Sequence, residues 1–193
     1  MGKTITKEEI SKFELEEFSG KIIVVESEEE ADNAVVYLST FPRLGFDTET
    51  RPTFKKGKSN EVALIQLATE EVCFLFRLNT IGFPNSLNQL LSNPDILKIG
   101  LSIKDDFSTI RRRISFTPQG FVELQTMAPQ HGIDDISLQK MYALLFNKKI
   151  SKNQRLTNWE AEVLTESQIK YAALDAWACL KIYDALCHTK KYS

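Results

Sequence analysis

The chain has 193 residues, of which 42% are hydrophobic and 26% charged, and a formal net charge of −2. These values predict a single globular domain over residues 1–193 and exclude a polycation that binds any polyanion, while no apolar run suggests a membrane span or a signal peptide. Three scattered cysteines and two histidines offer no zinc site, so we expect a cytoplasmic protein (or a nuclear one, if eukaryotic) whose metals are held by carboxylates.

The predicted elements alternate between helices and strands. In chain order they are a helix at about 6–18, a strand at 21–25, a helix at 27–38, strands at 44–50, 61–68 and 72–76, a helix at 86–91, a strand at 96–100, a helix at 102–113, a strand at 121–124, a helix at 137–146, a basic connector at 147–158 and a helix at about 165–188. Thr6 with Glu9, and Ser27 with Glu30, have capping-box spacing. The short link at 69–71 makes its two strands antiparallel, so we predict an α/β fold whose mixed sheet has helices on both faces.

The strand at 44–50 leaves an apolar segment and ends in two acids, Asp47 and Glu49. Residues two apart in a strand point to the same face, so these carboxylates lie side by side. Two adjacent like charges repel unless a cation sits between them, and hard divalent cations prefer carboxylate oxygen. The pair therefore indicates a metal site, although an ordinary acidic turn after a strand would have the same short pattern.

The last helix is apolar on nearly every side and carries Asp175 in its middle. An ionised carboxylate buried without a partner is too costly for a domain, so Asp175 must be paired or bind a metal. Tyr171 lies four residues earlier and shares its face of the helix. A hydrogen bond to the backbone or to a basic partner in the core is the alternative for Asp175.

The helix that begins near Ser102 carries two adjacent acids, Asp105 and Asp106. Ser102 and Asp105 have capping-box spacing, and Asp105 belongs to the first turn, which favours acids. The inward stripe of this helix is formed by Ile103, Phe107, Ile110 and Ile114. At about 100° per residue, Asp106 flanks this stripe and Asp105 points away from it, so Asp106 is the candidate functional acid.

Four acids from three segments can thus meet beyond one end of the sheet, where sites form in α/β folds. Two divalent ions about 3.5–4 Å apart would neutralise them and clamp the attacking and leaving oxygens of a phosphoryl displacement. The sequence shows no Gly-rich phosphate loop, nucleophile elbow or Cys-His pair. The pattern therefore favours metal-assisted hydrolysis of phosphate esters.

The basic residues are clustered on an otherwise slightly acidic chain. The clusters are Lys55–Lys58, Arg111–Arg113, and Lys148 and Lys149 with Lys152 and Arg155. Such clusters can form a local phosphate-binding surface, although solvated faces of helices and loops give the same pattern.

The order Asp47-x-Glu49, Asp106, Tyr171-x-x-x-Asp175 resembles the three exonuclease motifs of the DEDD superfamily of 3′–5′ exonucleases. Tyrosine four residues before the last acid, with Lys170 preceding it, resembles the DEDDy subset, which includes ribonuclease D, the proofreading domain of DNA polymerase I and the Werner-syndrome exonuclease domain. Further segments resemble the Werner-type branch, namely residues 62–67, 121–124, 158–159 and 164–166.

This resemblance, over about residues 22–186, implies a ribonuclease-H-like fold with a five-stranded mixed sheet. It implies that Asp47, Glu49 and Asp175 hold one metal ion, that Asp47 and Asp106 hold a second, and that Tyr171 orients the attacking water. The cofactors would be two Mg²⁺ or Mn²⁺ ions per site, without an organic cofactor. The substrate would be nucleic acid with a free 3′ end, DNA favoured, and the products nucleoside 5′-monophosphates. Candidate nucleic-acid contacts are Thr48, Lys148, Lys152 and Arg155.

Two alternatives stay open at this point. The chain could be a ribonuclease D-like exoribonuclease, because no single residue decides how the 2′-hydroxyl is treated. It could also be a catalytically silent copy of the fold that binds nucleic acid, although such copies are expected to lose a carboxylate and this chain has all four. Ser102 stands where proofreading domains carry asparagine, which weakens a polymerase-like interpretation.

Overall fold

The computed structural model of the chain describes residues 2–53 and 60–189, so the basic cluster Lys55–Lys58 lies outside the described residues. The strands are Glu14–Leu15 (β1), Lys21–Val25 (β2), Arg43–Thr50 (β3), Val62–Ala68 (β4), Val72–Arg77 (β5), Leu97–Gly100 (β6), Phe121–Glu123 (β7) and Lys148–Lys149 (β8). The α-helices are Lys7–Ser11 (α1), Glu28–Leu38 (α2), Leu78–Ile81 (α3), Asn85–Leu91 (α4), Ile103–Ile110 (α5), Leu124–Met127 (α6), Leu138–Phe146 (α7) and Glu166–Thr189 (α8), with a 3₁₀ turn at Ala128–His131.

The central sheet is mixed and has the strand order β2-β5-β4-β3-β6-β7. β4 is antiparallel to both β3 and β5, whereas the other neighbours are parallel. The predicted α/β fold with a mixed sheet and an antiparallel hairpin is confirmed. The sheet has six strands instead of the five that the resemblance implied, because the three-residue β7 pairs with β6 at the edge.

Strand β4 lies at the centre of the core and is buried at every residue. From Leu64 to Ala68 its side chains alternate between two sides of the sheet, as the period of a strand requires. Ile65 and Leu67 pack in the layer that contains α2, α4 and α5. Leu64 and Ala68 pack in the layer that contains α8. The sheet therefore has helices on both faces, as predicted.

Helix α8 crosses the sheet in unusually close contact with β3. A Cβ atom at Gly45 would overlap the carbonyl oxygen of Ala176. Glycine lets the helix backbone rest on the strand backbone at this point, because no side chain separates them. Gly45 is two residues before Asp47 and Ala176 directly follows Asp175, so the close contact adjoins both acidic segments.

The N-terminal segment differs from the prediction. The Thr6–Glu9 capping box is present, but the helix ends at Ser11 instead of near Phe18. Glu14 and Leu15 instead pair in parallel with Lys148 and Lys149 of β8. Tertiary pairing has overridden the local helical pattern here. No helix within the described residues is long and apolar enough to cross a membrane.

Candidate active site

Three carboxylates from two elements meet at the end of β3. Asp47 and Glu49 share one face of this strand, as the alternation predicted, and Asp175 extends towards them from α8. One oxygen from each of the three lies within 4.8 Å of the others. Glu49 and Asp175 are only 8% and 7% exposed, so this acidic cluster is held largely out of water.

The fourth acid, Asp106, is attached to the cluster through Thr48. The Thr48 hydroxyl donates a hydrogen bond of 2.5 Å to Asp106 Oδ1. Asp106 is half-buried and Asp105 is exposed, as the helical geometry predicted. Both acids line the same cleft as Asp47, Glu49 and Asp175. The structure thus brings all four predicted acids to one cleft, with three of them within reach of a single ion.

The predicted capping box at Ser102 is wrong. Ser102 has a left-handed backbone conformation, with φ at 60°, and its side chain makes no capping bond. The carboxylate of Glu123 accepts hydrogen bonds from the backbone N–H groups of Ser102 and Ile103, at 3.0 and 2.9 Å. Glu123 therefore satisfies the free donors at the start of α5 from a neighbouring strand, and Asp105 has no capping role.

Tyr171 lies one turn before Asp175 on α8, and both line the cleft. Burial raises the pKa of Asp175, and the nearby Tyr171 hydroxyl opposes this rise by favouring the charged carboxylate. The Tyr171 ring packs against the fully buried Trp159, with ring centroids 6.1 Å apart. Burial and the nearby Asp175 raise the pKa of Tyr171, so its hydroxyl keeps its proton at neutral pH.

Burial dominates the electrostatics of the acids and disfavours their charged forms. It raises the pKa of Asp175 to about 7. It raises the pKa of Glu49 to about 10, with added repulsion from Asp47, Asp175 and Asp106. The pKa values of Asp47 and Asp106 are also well above their usual range, for the same reason. The protein's own groups therefore only partly compensate the negative charge that the ionised carboxylates would carry.

The donor set suits a hard divalent cation. All three clustered ligands are carboxylates, the type that Mg²⁺ and Mn²⁺ prefer. Asp175 Oδ1 is buried and has no hydrogen-bond partner among the described residues. A buried acceptor left unpaired is costly, and a bound cation would satisfy it. The residues present therefore fit a metal ion held by Asp47, Glu49 and Asp175.

The cleft has a volume of about 400 Å³ and a basic wall. Lys152 and Arg155 line it, and their charges lower the pKa values of Asp175 and Glu49, respectively, against the larger effect of burial. Lys148 is not among the described residues that line the cleft, and its Nζ lies 2.7 Å from Glu14 Oε2. In the Arg111–Arg113 cluster, Arg113 forms an ion pair with Glu61 at 3.2 Å. This arginine therefore has a structural role.

Sequence reasoning missed several residues around the cleft. Gln125, Ser137 and Gln139 line it, although their types carry no motif. Arg77 is buried and donates to the carbonyl oxygens of Ala161 and Glu162, which hold the loop after Trp159. In the sequence, the feature that could have indicated this role is an arginine at the end of the apolar strand β5.

Comparison with known proteins agrees with the geometry. The family model described as 3′–5′ exonuclease matches residues 22–189. The mouse bifunctional 3′–5′ exonuclease/ATP-dependent helicase WRN is 37% identical over 149 residues, covering 74% of this chain and 11% of that protein. Human exonuclease 3′–5′ domain-containing protein 2 is 28% identical over 179 residues, covering 84% of this chain and 28% of that protein. The chain thus spans a small part of the length of these relatives.

Two solved structures show the same fold. The Aedes aegypti Nibbler EXO domain superposes with a TM-score of 0.82 at 22% identity, covering 92% of this chain and 93% of that one. Escherichia coli RNase D, described as an exoribonuclease involved in structured RNA processing, superposes with a TM-score of 0.78 at 24% identity, covering 90% of this chain and 45% of that one. At these identities the likeness bears on the fold alone. Through its sequence match and its ordered acidic motifs, the chain belongs to the family of 3′–5′ exonucleases.

Proposed function

We propose that the chain is a metal-dependent 3′–5′ exonuclease that removes nucleotides from the free 3′ end of a nucleic acid strand. This proposal is carried by three carboxylates whose oxygens lie within 4.8 Å in a cleft of about 400 Å³, with Glu49 and Asp175 buried and Asp47 half-buried. A pocket of this size accommodates a nucleotide-sized group. Family membership supplies the polarity of the reaction.

The roles of the residues follow from their positions. Asp47, Glu49 and Asp175 would hold one Mg²⁺ or Mn²⁺ ion, and Asp47 and Asp106 would hold a second. When bound, such ions activate water and stabilise charge on the phosphoryl oxygens. Tyr171, protonated and buried beside Asp175, would orient the attacking water. The water oxygen bonds to phosphorus as the bond to the 3′ oxygen breaks, and the product is a nucleoside 5′-monophosphate.

Substrate binding would use the basic wall of the cleft. Lys152 and Arg155 would meet phosphate oxygens, and the support for this role is that both line the cleft that contains the acids. Thr48 lines the same cleft, although its hydroxyl also bonds to Asp106. Lys148 would contribute less, since its ammonium group is paired with Glu14. We favour DNA as the substrate because the sequence motifs resemble the Werner-type branch, and the 37% identical relative is the WRN exonuclease/helicase.

We also propose that the whole chain acts as one domain in a reducing compartment. Residues 1–193 would act as one domain, with the sheet and both helical layers as its core. All three cysteines are free, which suits a reducing compartment such as the cytoplasm or nucleus.

The test is hydrolysis of 5′-labelled oligonucleotides of identical sequence in DNA and RNA, with Mg²⁺ or Mn²⁺. We expect a ladder that shortens from the 3′ end, 5′-mononucleotide products, and no reaction when the 3′ end carries a phosphate. Asp47→Asn is the matched inactive control. Equal rates for wild type and Asp47→Asn, or cleavage in excess chelator, would contradict the proposal. Binding without hydrolysis would favour the silent copy, and faster cleavage of RNA the exoribonuclease alternative.

A further inference from the structure

An N-terminal strap, residues 2–18, lies outside the region that the family model matches, which begins at residue 22. The strap begins beside the loop before α7. The Gly2 N–H donates to Asp134 Oδ2 at 2.8 Å and the Ile5 N–H donates to Asp135 Oδ2 at 2.7 Å. The backbone of Lys3 bonds to that of Gly132 at 2.7 Å. These bonds fix the loop that leads into Ser137, Leu138 and Gln139 of the cleft wall.

The middle of the strap packs on α7 through apolar contacts. Ile5 and Ile10 are buried together with Ala143, and Phe13 and Leu144 pack against them. Leu144 also packs against one of the larger hydrophobic clusters, so this contact joins the strap to the core on the α7 side. The strap is therefore attached by hydrophobic contacts as well as by hydrogen bonds.

The end of the strap holds β8. Glu14 and Leu15 pair with Lys148 and Lys149, and the Glu16 N–H donates to the Lys149 carbonyl oxygen at 2.9 Å. The Tyr142 hydroxyl donates to Glu16 Oε2 at 2.6 Å, which ties the same residue to α7. β8 thus has its backbone partner in the strap, not in the central sheet.

The segment directly after β8 carries the basic wall. Ile150 is buried, and Ile150, Ser151, Lys152 and Arg155 all line the cleft. Residues 151–157 contain no helix or strand, so their position depends on what holds their ends. Leu15 and Phe18 of the strap also line a second groove that shares Ser151 and Tyr171 with the cleft. The strap therefore reaches the edge of the site itself.

We infer that the N-terminal strap is a positioning element for substrate binding: by fixing β8 and the loop before α7, it holds Lys152 and Arg155 where they meet the phosphates of the substrate strand. The inference rests on the proposed function for the nature of the substrate. Among the described residues, no hydrogen bond or ion pair joins the strap to the four acids, and its backbone pairing is with β8 next to the basic wall, so we expect its effect on substrate binding to exceed its effect on the chemical step. A purely structural strap would change stability alone.

The test variant is Glu16→Pro, which removes both the N–H donated to Lys149 and the acceptor of the Tyr142 hydroxyl. Glu16→Gln is the matched control, since it keeps the N–H and an acceptor oxygen. We expect Glu16→Pro to raise KM about tenfold and leave kcat within about twofold at saturating Mn²⁺, whereas Glu16→Gln behaves as wild type. Tyr142→Phe removes only the hydroxyl, and should change KM in the same direction by a smaller factor. It replaces Glu16→Pro if the proline variant does not fold.

Binding is measured separately, by fluorescence anisotropy of a labelled single strand in the Asp47→Asn background at several salt concentrations. The slope of log K against log salt is negative, and loss of two phosphate contacts should reduce its magnitude by about 1.4. The double variant Lys152→Ala/Arg155→Ala should lose the same amount of affinity and salt dependence as Glu16→Pro. Adding Glu16→Pro to this double variant should cause no further loss of affinity. Fully additive losses, or a lower melting temperature with unchanged KM and slope, overturn the inference. Because this measurement needs no hydrolysis, an inactive wild type would overturn the proposed function alone, and a wild type that does not bind the strand would overturn both.

Discussion

The Thr48 hydroxyl donates a hydrogen bond of 2.5 Å to Asp106 Oδ1 and so links the first acidic segment to the second. Thr48 stands between Asp47 and Glu49 in β3, and alternation along a strand turns its side chain away from theirs. Asp106 therefore joins the site from a side that the other three carboxylates do not occupy. This bond lowers the pKa of Asp106 but does not offset the effect of burial.

The adjacent acids of α5 should have separable roles. Asp106→Asn removes the half-buried carboxylate that is hydrogen-bonded to Thr48, beside Asp47 and Glu49, and we expect hydrolysis to fall by at least about 10²-fold with little change in stability. Asp105→Asn changes an exposed residue without a capping role, so turnover should be nearly intact and the free energy of unfolding within about 0.5 kcal/mol of wild type. Single-turnover hydrolysis and thermal melting of both variants check this pair. An inactive Asp105→Asn with an active Asp106→Asn would reverse the assignment.

Glu123 should control both the stability of α5 and the placement of Asp106. Glu123→Ala leaves the N–H groups of Ser102, Ile103 and Gln125 without their charged acceptor, at a cost of about 2 kcal/mol. Turnover should fall as well, because the helix that carries Asp106 begins at these residues. Glu123→Gln keeps one acceptor oxygen and should lose less of both. Urea unfolding and hydrolysis measure the two effects, and a stable but inactive Glu123→Ala would point to a direct role in the cleft instead.

Tyr171→Phe should slow the chemical step and spare substrate binding. The ring stays packed on Trp159, but the hydroxyl that interacts with Asp175 is gone. Groups that position water or transfer protons typically contribute 10²–10⁴-fold, so kcat should fall within about that range while KM changes little. Trp159→Phe offers a comparison that disturbs the packing without removing the hydroxyl. An unchanged kcat in Tyr171→Phe would remove this residue from the mechanism.

Metal-free protein should lose stability as the pH rises. The pKa of Asp175 is raised from 3.8 to about 7, so the folded state binds more protons than the unfolded state between these values. The free energy of unfolding must then fall as pH increases from about 4 to about 7, and Glu49 extends the fall towards pH 10. In chelator, Asp175→Asn should match wild type near pH 4 and exceed its stability at pH 8 by on the order of 2–4 kcal/mol.

Added metal should reverse the order of stability of wild type and Asp175→Asn at pH 8. Mn²⁺ at pH 8 should raise the melting temperature of wild type and have much less effect on Asp175→Asn, because binding to the folded state alone stabilises it. Binding should also release protons, since the ligands must be ionised. Melting curves in chelator and in Mn²⁺ at both pH values test the sign. A wild type that becomes more stable from pH 4 to pH 8 in chelator would contradict the burial of these acids.

Local patterns predicted the parts of the site that depend on a single element. Alternation in β3 placed Asp47 and Glu49 together, and the helical period separated Asp105 from Asp106. The capping box of Thr6 and Glu9 was predicted in the same way and is confirmed. Each of these features is set by residues within a few positions of one another.

Contacts between distant segments were not predictable in this way. Ser102 has cap spacing, but its left-handed backbone leaves capping to Glu123, 21 residues further along the chain. The predicted helix through Phe18 yielded to the β1–β8 ladder, whose partners are 134 residues apart. Motif order indicated that Asp175 meets Asp47. The distance between them depends on how closely two backbones approach, and single-residue patterns do not describe this.

That approach is set at Gly45, where the missing methyl group lets α8 settle onto β3 beside Ala176. At this contact no side chain separates the backbone of the strand that carries Asp47 from the backbone of the helix that carries Asp175. A side chain at position 45 would overlap the backbone of Ala176, so one of the two elements would have to shift and Asp47 would move relative to Asp175. The geometry of the acidic cluster therefore depends on Gly45, a residue outside the cluster that allows the close contact because it has no Cβ atom.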